Sequence, residues 1–376
     1  MKIFRLKFLL EKIFRKNYKK IRSLGLKFLN PFVFNLTKKI GNQSIVKKEK
    51  GFLIDATVDN YCTFHLRPKN SNNFNLLSTE NLSKKVCILI QGNIGENFNF
   101  INETLNIYEK IFPNILIIIS TWKSENQKKI LKLEKNNVKV LFNDEPKTFS
   151  PGNSDYQLIS TCNGLNYAKK EGAELCLKQR SDLRINKNNA LSYLSSLIKN
   201  YPIKINNKNI RGRIISTSLN TLKYRLFSLS DFLLFGYVDD LLIYFENSTY
   251  KESLKMNNFG EAPSFIEETP VEAEILFCAR YVKKIENELK WELDFWWKSL
   301  KDYFCVIDSS SLDLFWKKYD YKFEHRYYKN YSNKVSRGIE FSDWLSLYNE
   351  MDVKWKKYFD DHERYDENYS IKNFKF

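Results

Sequence analysis

The stretch "LCLKQRSDLRI", residues 175–185, carries an apolar alternating run into Arg180-Ser181-Asp182, with Arg184 two residues on. One carboxylate between two guanidinium groups suits two kinds of chemistry. Asp182 could reach Mg²⁺ or Mn²⁺, which take oxygen ligands and commonly meet protein through one or two carboxylates plus substrate phosphates. Arg180 and Arg184 could neutralise a diphosphate by charge-assisted, bidentate hydrogen bonds. Alternatively, Arg and Asp pair with each other as a structural salt bridge. Spacing alone leaves the two readings open.

Two further segments offer carboxylates. In "SLSDFLLFGYVDDL" (228–241), Asp231 precedes an apolar run closed by Gly236. In "EETPVEAEILFCARY" (267–281), Glu267, Glu268, Glu272 and Glu274 gather around Pro270 at an expected helix start. The helix dipole alone favours acids there. One of them could also serve as general base, which requires a carboxylate within about 3 Å of the acceptor proton.

These residues need elements to position them. Short buried strands are expected at 86–92, 115–120, 138–142 and 174–180, with helices at 99–112, 124–135 and 155–170 between them. In the first helix Ile101, Leu105, Tyr108 and Phe112 form one stripe. Strands alternating with helices of this length predict βαβ units, a parallel sheet and right-handed crossovers. Further strands are expected at 213–218 and 230–236, and a helix near 271–285. In an open parallel sheet, ligands bind beyond the carboxyl ends of the strands. That rule selects Gln91-Gly92-Asn93, Ser120-Thr121-Trp122, Asn143-Asp144 and Arg180-Ser181-Asp182. Ordinary alternatives stand beside each: a turn at Gly92, packing for Trp122, a solvated loop for Asp144. No GxGxxG dinucleotide fingerprint is present.

Charge and composition narrow the function classes. The chain has 376 residues, is 43% hydrophobic and 15% aromatic, and carries a net charge of +17, which excludes a mainly disordered protein. Residues 1–50 hold 15 Lys and Arg against 2 Asp and Glu, leaving only +4 for the other 326 residues. With a nearly balanced body and no recognisable RNA- or DNA-binding module, no nucleic-acid partner is expected. Six cysteines without a CxxC pair read as buried free thiols, and three scattered His residues offer no His-based metal site.

In residues 1–40, Leu6, Leu10, Ile13, Phe14, Ile21, Leu24 and Phe28 fall on one helical face, with Arg5, Lys12, Arg15, Lys16, Lys19 and Lys20 opposite. The pattern predicts a basic amphipathic helix lying on an anionic membrane surface through residues 1–30. The plainer alternative is a helix packed on the body. Residues 41–85 read as linker and lead-in, 86–290 as the catalytic domain, and 291–376 as an aromatic, mainly helical extension.

Taken together, "VCILIQGNI", "FPNILIIISTW" (112–122), "QLISTCNGLNYA" (157–168), "LKQRSDLRI" (177–185), "SDFLLFG" (230–236) and the Glu after Pro270 resemble the WavE family of lipopolysaccharide-synthesis proteins. The resemblance implies a GT-A-like α/β fold, a Rossmann-type mostly parallel sheet flanked by helices. It also implies a nucleotide-sugar donor and a glycan or lipid-linked acceptor, handled on the cytoplasmic face of the membrane. The donor would be held by Gln91, Gly92, Asn93, Trp122, Asp144, Gln157, Lys178, Arg180, Ser181 and Arg184. Asp182, Asp231 and Glu272 would be the catalytic carboxylates, with Asp182 the ligand of any divalent Mn or Mg ion. Many such enzymes carry Asp-x-Asp where this chain has Arg180-Ser181-Asp182, so a two-carboxylate metal clamp is missing here. A non-catalytic relative that only binds a nucleotide-sugar is the competing reading.

Overall fold

The structure is a computed structural model and describes residues 44–47, 53–56, 85–147, 150–204, 210–223, 225–245, 273–319 and 338–349. Ser44–Lys47 (β1) and Leu53–Ala56 (β2) form an antiparallel pair by themselves. The expected basic helix at 1–40 and the candidate base Glu272 lie outside the described residues.

The main body is built on one sheet. Its strands are Val86–Gln91 (β3), Leu116–Trp122 (β4), Val138–Asn143 (β5), Leu175–Arg180 (β6), Ile214–Thr217 (β8), Leu233–Tyr237 (β9) and Phe304–Ile307 (β10), in spatial order β10-β8-β9-β6-β3-β4-β5. β9 alone runs antiparallel to its neighbours; the β5-β4-β3-β6 half is wholly parallel. Helices cover both faces, so β3 is buried at every position and reads VCILIQ. This is the mostly parallel, helix-flanked α/β sheet that the sequence predicts.

On one face lies Phe98–Ile111 (α1), whose predicted stripe Ile101, Leu105, Tyr108 and the following Phe112 is buried. On the other lies Ser154–Lys170 (α3), crossing β3 at Gly164, where a Cβ would overlap the Leu89 side chain. The helix expected at 124–135 is reduced to Gln127–Ile130 (α2) and a single 3₁₀ turn. Its Lys-rich sequence buries only Ile130 and Leu133, too little apolar surface to hold a longer helix.

A short strand, Leu183–Ile185 (β7), follows β6 after a two-residue turn and pairs antiparallel with Leu314–Trp316 (β11). Ala190–Asn200 (α4), Val238–Tyr244 (α5), Ala273–Glu286 (α6), Leu293–Tyr303 (α7) and Phe341–Tyr348 (α8) complete the described helices. The segment read as a mainly helical extension after 290 does more than append helices. Its β10 forms the sheet edge beside β8, and its β11 holds down β7. Arg213, buried beneath α8, ties this segment in. It donates to the Tyr201 and Phe304 carbonyls, at 2.8 and 3.3 Å, and to that of Lys301, and lies under the rings of Trp344 and Tyr348.

Candidate active site

The chain runs from β3 outward to β4 and β5, then returns to β6 on the opposite side of β3. The crevice beyond the carboxyl ends of β3 and β6 is therefore the topological switch point, where open α/β sheets bind ligands. Two loops meet there. Gly92 turns the chain out of β3 at φ 112°, a region where L side chains are strained, and a Cβ would also sit 3.4 Å from Ser181 Oγ. From the β6 side, the Ser181 amide donates to the Gln91 carbonyl at 2.9 Å. The Ser181 hydroxyl donates to the Asn93 carbonyl at 2.7 Å. Gln91, Gly92, Asn93, Arg180, Ser181 and Asp182 are thus one assembly.

Within it Asp182 is paired. Arg180 donates from Nε to Oδ1 at 2.9 Å and from Nη2 to Oδ2 at 3.0 Å, while the Trp316 indole donates to Oδ2 at 3.0 Å. Burial alone would raise the Asp182 carboxyl, but the bonds and charge of Arg180, with help from Trp316, hold it below the usual carboxylate range. Trp316 reaches this position because β11 pairs with β7, placing it opposite Leu183. It also lies 5.6 Å under the Arg180 guanidinium and 4.6 Å from the Phe232 ring. The Arg180 side chain stays 34% exposed and that of Asp182 only 9%, so Arg180 is the member a ligand can reach.

A second group converges from the α3 face. Ser160 donates to Gln91 Oε1 at 3.0 Å. Gln157 donates to the Asp231 carbonyl at 3.4 Å, and the Lys178 ammonium donates to the same oxygen. Because β9 is antiparallel to β6, its beginning, preceded by Asp231, falls at the carboxyl end of β6. Lys178 is wholly buried, and burial pushes its ammonium down to about 7 against the partial support of the Asp231 charge. From the α1 face, Tyr108 donates to Gln179 Oε1 at 2.8 Å and accepts from the Ile185 amide at 3.0 Å, fixing the turn that presents Asp182.

Three expected residues stand apart. Arg184 is turned into α1: it donates to Thr104 Oγ1 at 3.0 Å and the Phe100 carbonyl at 3.1 Å, and stacks 4.4 Å from the Phe100 ring. Its alternation in β7 directs it there, so it anchors α1 and does not line the crevice with Arg180. Trp122 is buried edge-on against Tyr156 at 4.9 Å. Asp144 is on the surface, paired with Lys123 at 2.8 Å, an arrangement worth about 0–1 kcal/mol. Neighbouring Asn143 instead turns inward, donating to Ser120 Oγ and the Thr121 carbonyl. An open groove of about 600 Å³ between β5 and α3, lined by Phe142, Asn143, Asn163, Tyr167 and Lys170 among others, runs along the sheet edge and not over the switch point.

Sequence reasoning did not single out Ser160, Glu125, Trp316 or Lys317. Glu125 takes the Ile94 and Gly95 amides at 2.9 and 2.5 Å, and the Thr121 hydroxyl, locking the loop after β3. A lone acid in "TWKSEN" (121–126) carries no spacing pattern of its own. Trp316 and Lys317 lie 134 and more residues beyond Asp182, and only the β7–β11 pairing brings them in.

A divalent metal at Asp182 would have to share its carboxylate with the donors already bound to it. Both oxygens already accept from Arg180 and Trp316. Among the described residues no three His, Cys, Asp or Glu side chains are grouped to hold an ion. As arranged, the carboxylate is committed to Arg180, and an ion there would compete with that pair.

A family model described as WavE lipopolysaccharide synthesis matches residues 86–374. The chain matches no curated protein. Among solved structures it is similar to a glycosyltransferase involved in the glycosylation of the major capsid of PBCV-1, at 14% identity over 59% of this chain and 83% of that one, with a TM-score of 0.30. It is similar to 4-diphosphocytidyl-2C-methyl-D-erythritol synthase from Anaerococcus prevotii, at 13% identity over 53% and 95%, with a TM-score of 0.28. A mannose-1-phosphate geranyltransferase from Thermus thermophilus is 16% identical over 35% of this chain, with a TM-score of 0.24, and the match spans only 41% of that protein. Likenesses this faint carry no argument about the activity.

Proposed function

The chain belongs to the WavE lipopolysaccharide synthesis family, and from that premise we propose that it is a GT-A-like glycosyltransferase acting on a nucleotide-diphosphate sugar. The observation that carries the reading is the joining of the loops after β3 and β6 by Ser181, which sets a glycine turn and a partly exposed guanidinium at one switch-point crevice. A glycine lets the backbone approach a nucleotide closely, and a guanidinium suits phosphate.

In this reading Gln91, Gly92 and Asn93 lie against the nucleoside, and Gln157 and Lys178 stiffen the floor through the Asp231 carbonyl. The bond between the anomeric carbon and the phosphate oxygen breaks, and the acceptor hydroxyl oxygen bonds to that carbon. Its proton passes to a carboxylate, for which Asp231 is the candidate among the described residues. Arg180 takes up the charge appearing on the departing diphosphate, and removing one such stabilising group typically costs about 10²–10³ in kcat. Asp182 positions Arg180. The acceptor is a surface polysaccharide or a lipid-linked saccharide, met at the cytoplasmic leaflet through the basic segment 1–40. No described helix is long and apolar enough to cross a membrane.

The test is a donor-hydrolysis screen of the full chain with UDP-, GDP-, CMP- and dTDP-sugars. Turnover of at least one nucleotide-diphosphate sugar is expected, falling about 10²-fold in Arg180→Ala. Saturable binding without turnover would instead mark a non-catalytic nucleotide-sugar binder. No binding and no turnover across the panel would remove the reading.

A further inference from the structure

Lys317 joins the two loops of this crevice from the α1 side and has no role in the reading above. It follows β11 directly, and its amide donates to the Asp182 carbonyl at 3.0 Å. Its ammonium donates to Asn97 Oδ1 at 2.9 Å and lies 5.6 Å from the Phe100 ring. Asn97 ends the loop that begins at Gly92, so Lys317 bridges the loop after β3 and the turn after β6. Asn97 is also the residue before α1, and its side-chain oxygen goes to Lys317 and not to its own helix.

The charges around it make the position informative. Asp182 offsets much of the Arg180 charge, and Lys178 is buried beneath the floor with its ammonium already disfavoured. The other basic side chain of this stretch, Arg184, is turned into α1. Lys317 is exposed and no carboxylate pairs with it among the described residues; its hydrogen-bond partner is a neutral carboxamide. A diphosphate entering between the two loops would find one partly committed guanidinium and one cation with no counter-charge among the described residues. Meanwhile the carboxylate that would hold a metal has both oxygens engaged.

We infer that Lys317, together with Arg180, supplies the positive charge that holds the donor's diphosphate, in the place of a divalent ion. The inference rests on the glycosyltransferase reading and deepens it by naming how the leaving group is neutralised. An ammonium is a point charge that tolerates varied phosphate geometry, whereas a guanidinium fixes direction. The two together combine orientation with charge.

Calorimetric titration of the full chain with UDP, GDP, CDP and dTDP, in EDTA and again in Mn²⁺, tests it. At least one diphosphate should bind equally well in both. Lys317→Ala should weaken that binding about tenfold or more, the scale of a hydrogen bond to a charged group. Lys317→Arg should retain most of it, and Asn97→Ala, which leaves the ammonium in place, should weaken it less. Lys318→Ala, one residue on, controls for net charge and should bind as the parent does. Binding that vanishes in EDTA and returns with Mn²⁺ would overturn the inference and leave the glycosyltransferase reading standing. A Lys317→Ala protein binding like the parent would do the same. If no diphosphate binds under either condition, both fall.

Discussion

At the scale of single residues, Asp182 and Arg184 divide what looked like one cluster. Asp182 accepts three hydrogen bonds at the crevice floor, two from Arg180 and one from Trp316, while Arg184 spends its guanidinium on Thr104 and Phe100 of α1. The two should therefore fail differently. Asp182→Asn keeps the shape but removes the charge that orients Arg180, so donor hydrolysis should drop at least about tenfold, with about 1–3 kcal/mol lost in stability. Arg184→Ala should lose a similar amount of stability, since it removes the buried guanidinium that ties β7 to α1, yet leave nucleoside-diphosphate affinity unchanged. Urea denaturation and calorimetric binding on the two variants separate the cases. If affinity falls with Arg184 and not with Asp182, the placement is wrong.

At the scale of elements, the contact of α3 with β3 decides how well the floor is held. Ser160 reaches Gln91 only because α3 lies close on the sheet, and Gly164 is what permits that closeness. Mid-helix glycine normally costs about 1 kcal/mol relative to alanine. Here the trade runs the other way, because a Cβ would overlap the fully buried Leu89, which has little room to yield. Gly164→Ala should lose about 1–3 kcal/mol through overpacking, with Leu89→Val recovering part of the loss in the double variant. Denaturation midpoints decide it; a stabilised Gly164→Ala protein would mean α3 can lift away freely.

At the scale of the whole molecule, one buried charge shapes the pH response. Burial lowers the Lys178 ammonium to about 7 in the folded chain, whereas unfolded lysine holds its proton to about pH 10. Between those values the unfolded chain binds more protons, so this residue makes stability rise with pH. Below pH 7 its cost is fully present and constant. Denaturation at pH 7, 8 and 9 should show a rise that Lys178→Met, which keeps the stem and drops the charge, flattens. The uneven distribution of charge gives a second whole-molecule expectation. Residues 1–50 carry +13 of the +17, so deleting 1–40 should move the protein from the membrane to the soluble fraction while donor hydrolysis survives. Unchanged partitioning in a fractionation would count against the membrane-surface role.

The alternating apolar runs and helical stripes determined the parallel half of the sheet by themselves. Six-residue strands such as VCILIQ, buried on both faces, admit few other arrangements. The same pattern, with the strand-end rule, sufficed to gather Gln91, Gly92, Asn93 and Asp182 at one edge. What local pattern lacks is any measure of contacts between distant segments. That β9 runs antiparallel, that β10 closes the sheet, and that Trp316 and Lys317 arrive beside Asp182 all depend on pairings across the chain. Which of two arginines faces the crevice was likewise settled by packing. A guanidinium's direction follows from the face its strand presents and the acceptors waiting there, and neither is written in its neighbours along the sequence.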